Sequence, residues 1–390
     1  VGVLLKKSLS NSFKICLLKT FLVGLIIVLG GCQNMIEKHP GLSGPVALAS
    51  LPGWAQEDLM NYAVTLRHSC KANSTGELRL PHAPSIPMIS DAHQKLCNFA
   101  MMERDHSVFK KALEDHFDAY LVSDAEGSTQ GLFTGYFEPE IKGSYKRTHH
   151  FSVPVYAKPQ ELIIKEDLNS GGGKRVIGRV SQGEWVPFWT REQIVSGAIH
   201  PKPKVLAWVH DPIDLFFLHI QGSGIITFPD GSKQRVGYDG TNGRSYYAIG
   251  QELIKMGELT KENVSMQSIK AWLRSHPDQA NTIMNLNPSY VFLRFVNNPY
   301  GPIGSQGVPL TPLRSLAVDR RYYPMGLPVW LDTVEPDGAP FRRMMVTQDT
   351  GGAIKGVVRG DVFWGHGDLA YDCAGRMKST GRLFVILPKK

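Results

Sequence analysis

The chain has 390 residues, 42% of them hydrophobic and 20% charged, which excludes an intrinsically disordered polypeptide and leaves room for one large or two medium domains. The formal charge is +8, but Lys6, Lys7, Lys14 and Lys19 fall in an N-terminal stretch that carries no acid. The remainder is about +4, too mild to argue for a nucleic-acid partner and compatible with an anionic polymer.

Basic residues up to Lys19 precede an apolar run from Phe21 to Leu29, shorter than the roughly 20 residues a membrane span needs. A charged region, an apolar region and small residues in that order predict a secretory signal over 1–31. It closes on Leu29-Gly30-Gly31-Cys32, which resembles the bacterial lipobox. The resemblance implies cleavage before Cys32, lipidation of that cysteine and attachment to a membrane through several acyl chains. Gln33 follows rather than Asp, which by resemblance to Gram-negative lipoproteins implies an outer-membrane lipoprotein facing the periplasm. Cys16 would leave with the signal. In an oxidising periplasm Cys70 and Cys97 are candidates for a disulfide, with Cys373 left alone. No C-x-x-C spacing supports a metal or redox site. Residues 32–54, rich in Gly, Pro and Ser after Cys32, read as a tether.

Helical spacing follows. Leu59, Tyr62, Ala63 and Leu66 predict a helix over 56–66, and Phe109, Leu113, Phe117 and Leu121 extend a second helical stretch over 93–121. Gly131-Leu132-Phe133-Thr134-Gly135-Tyr136-Phe137-Glu138-Pro139 then reads as a strand ended by Pro139. Thr134, Tyr136 and Glu138 alternate onto one face. An exposed tyrosine beside a carboxylate suits sugar binding, although an ordinary strand with a solvated side has the same spacing.

Residues 140–287 read as an inserted, β-rich domain, with strand candidates over 153–157, 204–209 and 215–220. Thr190-Arg191-Glu192-Gln193 is a capping-box pattern that opens a short helix. Phe228-Pro229-Asp230-Gly231-Ser232 predicts a hairpin turn, and helices are predicted over 245–256, closed by Gly257, and over 266–274. In His219-Ile220-Gln221-Gly222-Ser223-Gly224 the glutamine offers donors and acceptors to hydroxyls and amides, and the glycines allow close approach of a ligand. The run lacks a full G-x-G-x-x-G, so it gives no support to a dinucleotide site.

Short strand candidates over 290–295, 329–332, 343–347 and 383–387, separated by Gly/Pro turns, suggest a small barrel or sandwich. Between the last two lies the most informative stretch, Gln348-Asp349-Thr350-Gly351-Gly352-Ala353-Ile354-Lys355-Gly356-Val357-Val358-Arg359-Gly360-Asp361-Val362-Phe363-Trp364. Its glycines predict a constrained loop holding two carboxylates and two cations. An aspartate at the head of a glycine-rich turn commonly bonds turn amides, the structural role favoured for Asp349. Aromatics beside Asp361 would desolvate it and raise its pKa, as a general acid requires, while Lys355 and Arg359 pull the other way.

With Asp319-Arg320 upstream and Gly381-Arg382-Leu383-Phe384-Val385 at the end, this stretch resembles the three-aspartate domain of the membrane-bound lytic murein transglycosylase A family. Gly135-Tyr136-Phe137-Glu138-Pro139, Gln221-Gly222-Ser223-Gly224, Tyr238, Ser265-Met266-Gln267 and Asn287-Pro288-Ser289-Tyr290 resemble other segments of that family. The resemblance implies a mainly β, α+β protein: a double-psi β-barrel formed by 55–139 and 288–390, with the three-aspartate segment at 315–388. It also implies an inserted β domain at 140–287 and a glycan groove between the two.

The implied activity is cleavage of the MurNAc–GlcNAc bond of peptidoglycan without water, leaving 1,6-anhydro-MurNAc ends, in cell-wall turnover. Asp361 would be the single acid/base. Asp349 and Lys355 would serve loop structure, or tune the site and hold substrate, and Thr134, Gly135, Tyr136, Gln221, Gly222 and Ser223 are candidate substrate-binding residues. No metal or organic cofactor is implied. Glycan strands are the expected partner, a lipid anchor the expected membrane contact, and cell-wall synthesis or division proteins further candidate partners. The alternatives are a hydrolysing glycosidase, with Asp361 as acid and Asp349 or Asp368 as base, and a glycan-binding lipoprotein without activity.

Overall fold

The computed structural model describes residues 41–72, 91–102, 105–167 and 174–389. The signal segment, Cys32 and the first part of the tether lie outside the described residues.

The chain enters on strand β1 (Gly41–Ala47), two short 3-10 turns and helices α1 (Leu59–Lys71), α2 (Asp91–Met102) and α3 (His106–His116). Asp58 and Asp105 cap α1 and α3, each accepting two backbone N–H groups of its helix's first turn. Cys70 and Cys97 form a disulfide between α1 and α2, and Cys373 is a buried free thiol. Strands β2 (Phe117–Ser123) and β3 (Gly131–Glu138) follow.

The chain then builds β4 (Glu140–Ser144), β5 (Val153–Tyr156), β6 (Ile163–Asp167), β7 (Lys174–Ser181), β8 (Glu184–Pro187), α4 (Arg191–Val195), β9 (Val205–Val209) and α5 (Pro212–Gln221). This part continues through β10 (Ser223–Thr227), β11 (Lys233–Thr241), α6 (Ile249–Lys255), α7 (Met266–Ser275), α8 (Pro277–Asn285) and β12 (Val291–Val296). It ends with β13 (Ser315–Ala317), β14 (Pro328–Val334), β15 (Pro340–Asp349), β16 (Arg359–His366), α9 (Asp368–Arg376) and β17 (Lys378–Pro388).

Strands β3, β17, β14, β15, β13 and β16 close on themselves, because β17 pairs with β3 as well as with β14. The six form a barrel with two parallel pairs, β13–β15 and β16–β3, and β1 and β2 extend it from β17. Its strands bury both faces. Val329, Leu331, Met345, Leu383 and Val385 fill one cluster, while Trp330, Met344, Val346, Phe384 and Ile386 pack with Trp54, Leu59, Tyr62 and Phe109 of the N-terminal helical layer. This alternation lets one strand serve two cores. The intervening residues form a second sheet, ordered β12-β11-β10-β4-β9-β5, and a three-stranded sheet, β6-β7-β8. The molecule is α+β and mainly strand, as expected.

Four local expectations differ. The barrel, expected to resume at residue 288 with 290–295 among its strands, resumes only beyond β12, which pairs with β11 in the second sheet. The stretch 215–220, read as a strand, lies inside helix α5: Asp211 caps it, Pro212 opens it, and Gly222 closes it at φ +79°. Leu215 and Leu218 face the sheet while Phe216 and Phe217 face the other helices. A helix buried all round shows no helical period, which is why it read as a strand. Phe117 and Leu121 continue the spacing of Phe109 and Leu113 but belong to β2; Phe117 packs in the same cluster as those two from a different backbone. The tether ends early, since β1 pairs with β2 from Gly41 and Leu48, Leu51 and Trp54 are buried.

Candidate functional site

The short strand β13 places the two key acids. It pairs with β15 on one edge and β16 on the other, with Ala317 opposite both Asp349 and Asp361. The acids therefore lie two strand spacings apart along the backbone, about 10 Å. On the far edge of β16, the register sets Asp361 beside Thr134 of β3.

Thr134 Oγ1 donates to Asp361 Oδ1 at 2.6 Å and accepts from Arg359 Nη2 at 2.8 Å. The Asp361 carboxyl is surrounded by protein although the residue keeps a partly open edge. Its pKa is pushed up to about 6: burial raises it, the Arg359 guanidinium and the Thr134 hydroxyl oppose this, and the Asp349 charge adds to it. Desolvation outweighs the neighbouring cation, the balance that spacing left open.

Asp349 has a different environment. Its Oδ1 accepts from Ser305 N, Ser305 Oγ and Thr350 N, each at 2.9 Å, and its Oδ2 accepts from Tyr136 Oη at 3.0 Å. Burial raises its pKa, while these four donors favour the charged form. Burial and the Asp349 charge push the Tyr136 phenol far above its usual range, so it stays a proton donor in this pair. Asp349 is thus a cross-brace tying β15 to β3 and to the Ser305 loop. Asp319, the third acid, accepts from Gly356 N at 3.0 Å and from the forked guanidinium of Arg321, bracing the glycine-rich loop from the other side.

The other predicted residues separate. Tyr136 is buried, not exposed, and stacks obliquely on Phe363, so its ring is not a free sugar platform. Lys355 is exposed on the loop, whereas Arg359 is the cation against Thr134. Gln221 Oε1 accepts from Phe137 N at 3.1 Å across the junction of the two sheets. Gly222 closes α5, Ser223 opens β10, and a Cβ on Gly224 would meet Leu218 Cδ1 and the Pro139 carbonyl, so that glycine serves packing. Gly135 lets α9 approach β3, because a Cβ there would lie 2.8 Å from Ala374 Cα. A cavity of about 590 Å³ opens beside Thr134, lined among others by Gly135, Phe137, Gln221, Ser265, Gly375 and Lys378.

Two residues of this site were missed. Ser305 stands 44 positions from Asp349 in a loop with no motif, and Tyr246 of the insert comes within reach of Gly352 on the glycine-rich loop. Ser305 reaches the site from the loop between β12 and β13 and Tyr246 from the segment between β11 and α6, and no local pattern marks either. Among the described residues no group of three or more His, Cys, Asp or Glu is disposed to hold a metal ion.

Comparison with known proteins adds to this geometry. The profile of the MltA specific insert domain matches residues 132–294, and that of the 3D domain matches residues 314–387. The chain is 34% identical over 278 residues, 69% of each sequence, to membrane-bound lytic murein transglycosylase A of Escherichia coli K12. A crystal structure of MltA from Neisseria gonorrhoeae is 33% identical and matches with a TM-score of 0.74 over 88% of this chain and 92% of that one. The structure of E. coli MltA with bound chitohexaose, 26% identical, matches with a TM-score of 0.65 over 86% of this chain and 91% of that one.

Proposed function

Because the chain belongs to the MltA family of lytic murein transglycosylases, we propose that it cleaves the MurNAc–GlcNAc bond of peptidoglycan by intramolecular transfer, with Asp361 as its single acid and base. The observation that carries this is the buried Asp361 carboxyl, raised to about 6, which faces the Thr134 hydroxyl and the Arg359 guanidinium on a residue that stays partly exposed. A glycosidase that uses water needs two carboxylates flanking the bond. Here the second carboxylate, Asp349, accepts four hydrogen bonds and is committed to bracing. One group suffices when the nucleophile is already part of the substrate.

In the first step protonated Asp361 donates its proton to the leaving glycosidic oxygen. The C1–O bond breaks, and the positive charge that develops on the muramyl ring is matched by the carboxylate just formed. In the second step that carboxylate removes the proton of the C6 hydroxyl, whose oxygen attacks C1 and closes the 1,6-anhydro ring. Asp361 ends protonated and ready for the next turnover. Thr134 and Arg359 steady the carboxylate between the two steps.

The test is the mass of the muropeptides released from purified sacculi. Anhydro ends, one water lighter than reducing ends, are expected; reducing ends would assign the hydrolytic reading instead. A glycan-binding protein would release neither.

The membrane-bound relatives and the lipobox-like run before Cys32 support an outer-membrane lipoprotein facing the periplasm. Cys32→Ser is expected to yield a soluble periplasmic protein or an uncleaved precursor on cell fractionation. Recovery of the variant as a processed outer-membrane protein would remove the anchor reading.

A further inference from the structure

The chain leaves the barrel for the insert at Glu138–Pro139 and returns beyond Val296. Within the insert sheet the entry strand β4 and the exit strand β12 are not neighbours, because β10 and β11 lie between them. Three strand spacings, about 14 Å, separate the two crossings.

One side chain joins both. Arg235 of β11 donates from Nε to Glu138 Oε1 at 2.6 Å and from Nη2 to Glu138 Oε2 at 3.2 Å. Its Nη1 donates to the Asn298 carbonyl at 2.5 Å. The Glu138 side chain is 1% exposed and that of Arg235 16%, so this is a buried, forked contact and not a surface pair. Glu138 ends β3 in phase with Thr134 and Tyr136, the two residues whose hydroxyls hold Asp361 and Asp349. The guanidinium therefore meets the barrel strand that carries the site's donors, the entry crossing and the exit crossing at one point.

We infer that Arg235 is a positioning residue that sets the angle between barrel and insert, and with it the width of the groove that opens beside Thr134 between residues of the two parts. The kinetic side of this inference rests on the glycan reading of that groove. Neutralising Glu138 needs only a cation, which lysine supplies; spanning Glu138 and Asn298 together needs a planar fork, which lysine lacks.

Arg235→Lys separates the two roles. Spin labels on cysteines introduced at Val195 of the insert and Leu369 of the barrel, 63% and 75% exposed, report the distance between the two parts without substrate. In the processed protein Cys373 is buried and Cys70 and Cys97 are bonded to each other, so they do not compete for the label. A folded Arg235→Lys protein is expected to show a broadened distance distribution, with KM for long glycan strands raised about tenfold and kcat within about threefold of wild type. The pair Arg235→Met with Glu138→Gln leaves no buried charge and should broaden the distribution in the same way if the lysine variant does not fold. A wild-type distribution in the folded variants overturns the inference. A wild-type protein that fails to release glycan products overturns the functional reading alone, since the distance measurement still decides the role of Arg235.

Discussion

Asp361→Asn is expected to abolish release of anhydro-muropeptides while leaving the fold and binding to sacculi in place. The amide matches the carboxylate in size and still accepts from Thr134, so the contact at 2.6 Å has a substitute partner. What is lost is the proton that must leave for the glycosidic oxygen and return from the C6 hydroxyl. General acid–base catalysis is typically worth about 10²–10⁴-fold, and a group that serves both steps should cost at least that much. Asp349→Asn should behave differently. It exchanges one acceptor oxygen for a donor among four donors, so stability and activity should fall together. A dead, normally folded, glycan-binding Asp349→Asn protein beside an active Asp361→Asn protein would reverse the assignment of roles.

The raised pKa of Asp361 gives the same variant two pH signatures. The first step needs the protonated acid, so wild-type kcat/KM should fall as pH rises through about 6. For stability, a folded pKa above the unfolded one favours the native state fully below the unfolded value of about 3.9, and that contribution is lost as pH rises through about 6. At pH 8 the native protein holds a poorly solvated charge that the asparagine variant lacks. Asp361→Asn should therefore be more stable than wild type at pH 8, by roughly 1–3 kcal/mol after allowing for the open edge of the site, and equal to it below about pH 4. Denaturant melts at the two pH values measure this. A variant less stable than wild type at pH 8 would mean that Arg359 outweighs desolvation after all.

Legibility in the sequence followed the range of the interaction. Asp361 stood out because Val362, Phe363 and Trp364 adjoin it, and the capping box at Thr190 and the hairpin turn at Phe228–Ser232 are local patterns that the structure contains. Helix α5 misled because each of its faces meets a different core. The exposed role expected of Tyr136 failed for a related reason: alternation along β3 separates its two faces, but whether a face meets solvent depends on β15 and the Ser305 loop, far away in the chain. The same limit hides Arg235, which looks like an ordinary charged residue of a β-hairpin until the two crossings are seen to meet it.

The strongest structural effect outside the site should come from Glu57→Ala. Glu57 and Arg314 are 5% and 6% exposed, and the guanidinium of Arg314 donates to Glu57 Oε1, to the Met344 carbonyl and to the Asp58 carbonyl. Glu57 Oε1 also accepts from Met344 N at 2.9 Å. Asp58 caps α1, Arg314 leads into β13 and Met344 lies in β15, so one buried pair ties the helical layer to the strand that carries Asp349. Alanine at position 57 would strand a buried guanidinium and a buried N–H together. Breaking such a pair from one side typically costs about 3–5 kcal/mol, a large share of the 5–15 kcal/mol by which a domain is commonly stable. Glu57→Gln should cost clearly less, because its amide oxygen still accepts from Met344 N and from Arg314 while only the charge is removed. Chemical denaturation of the two variants gives the comparison. The coupling is refuted if Glu57→Ala lies within about 1 kcal/mol of wild type, since an exposed pair would behave that way. A glutamine variant as damaged as the alanine one would instead assign the loss to the charge alone and not to the hydrogen bonds that join helix, turn and strand.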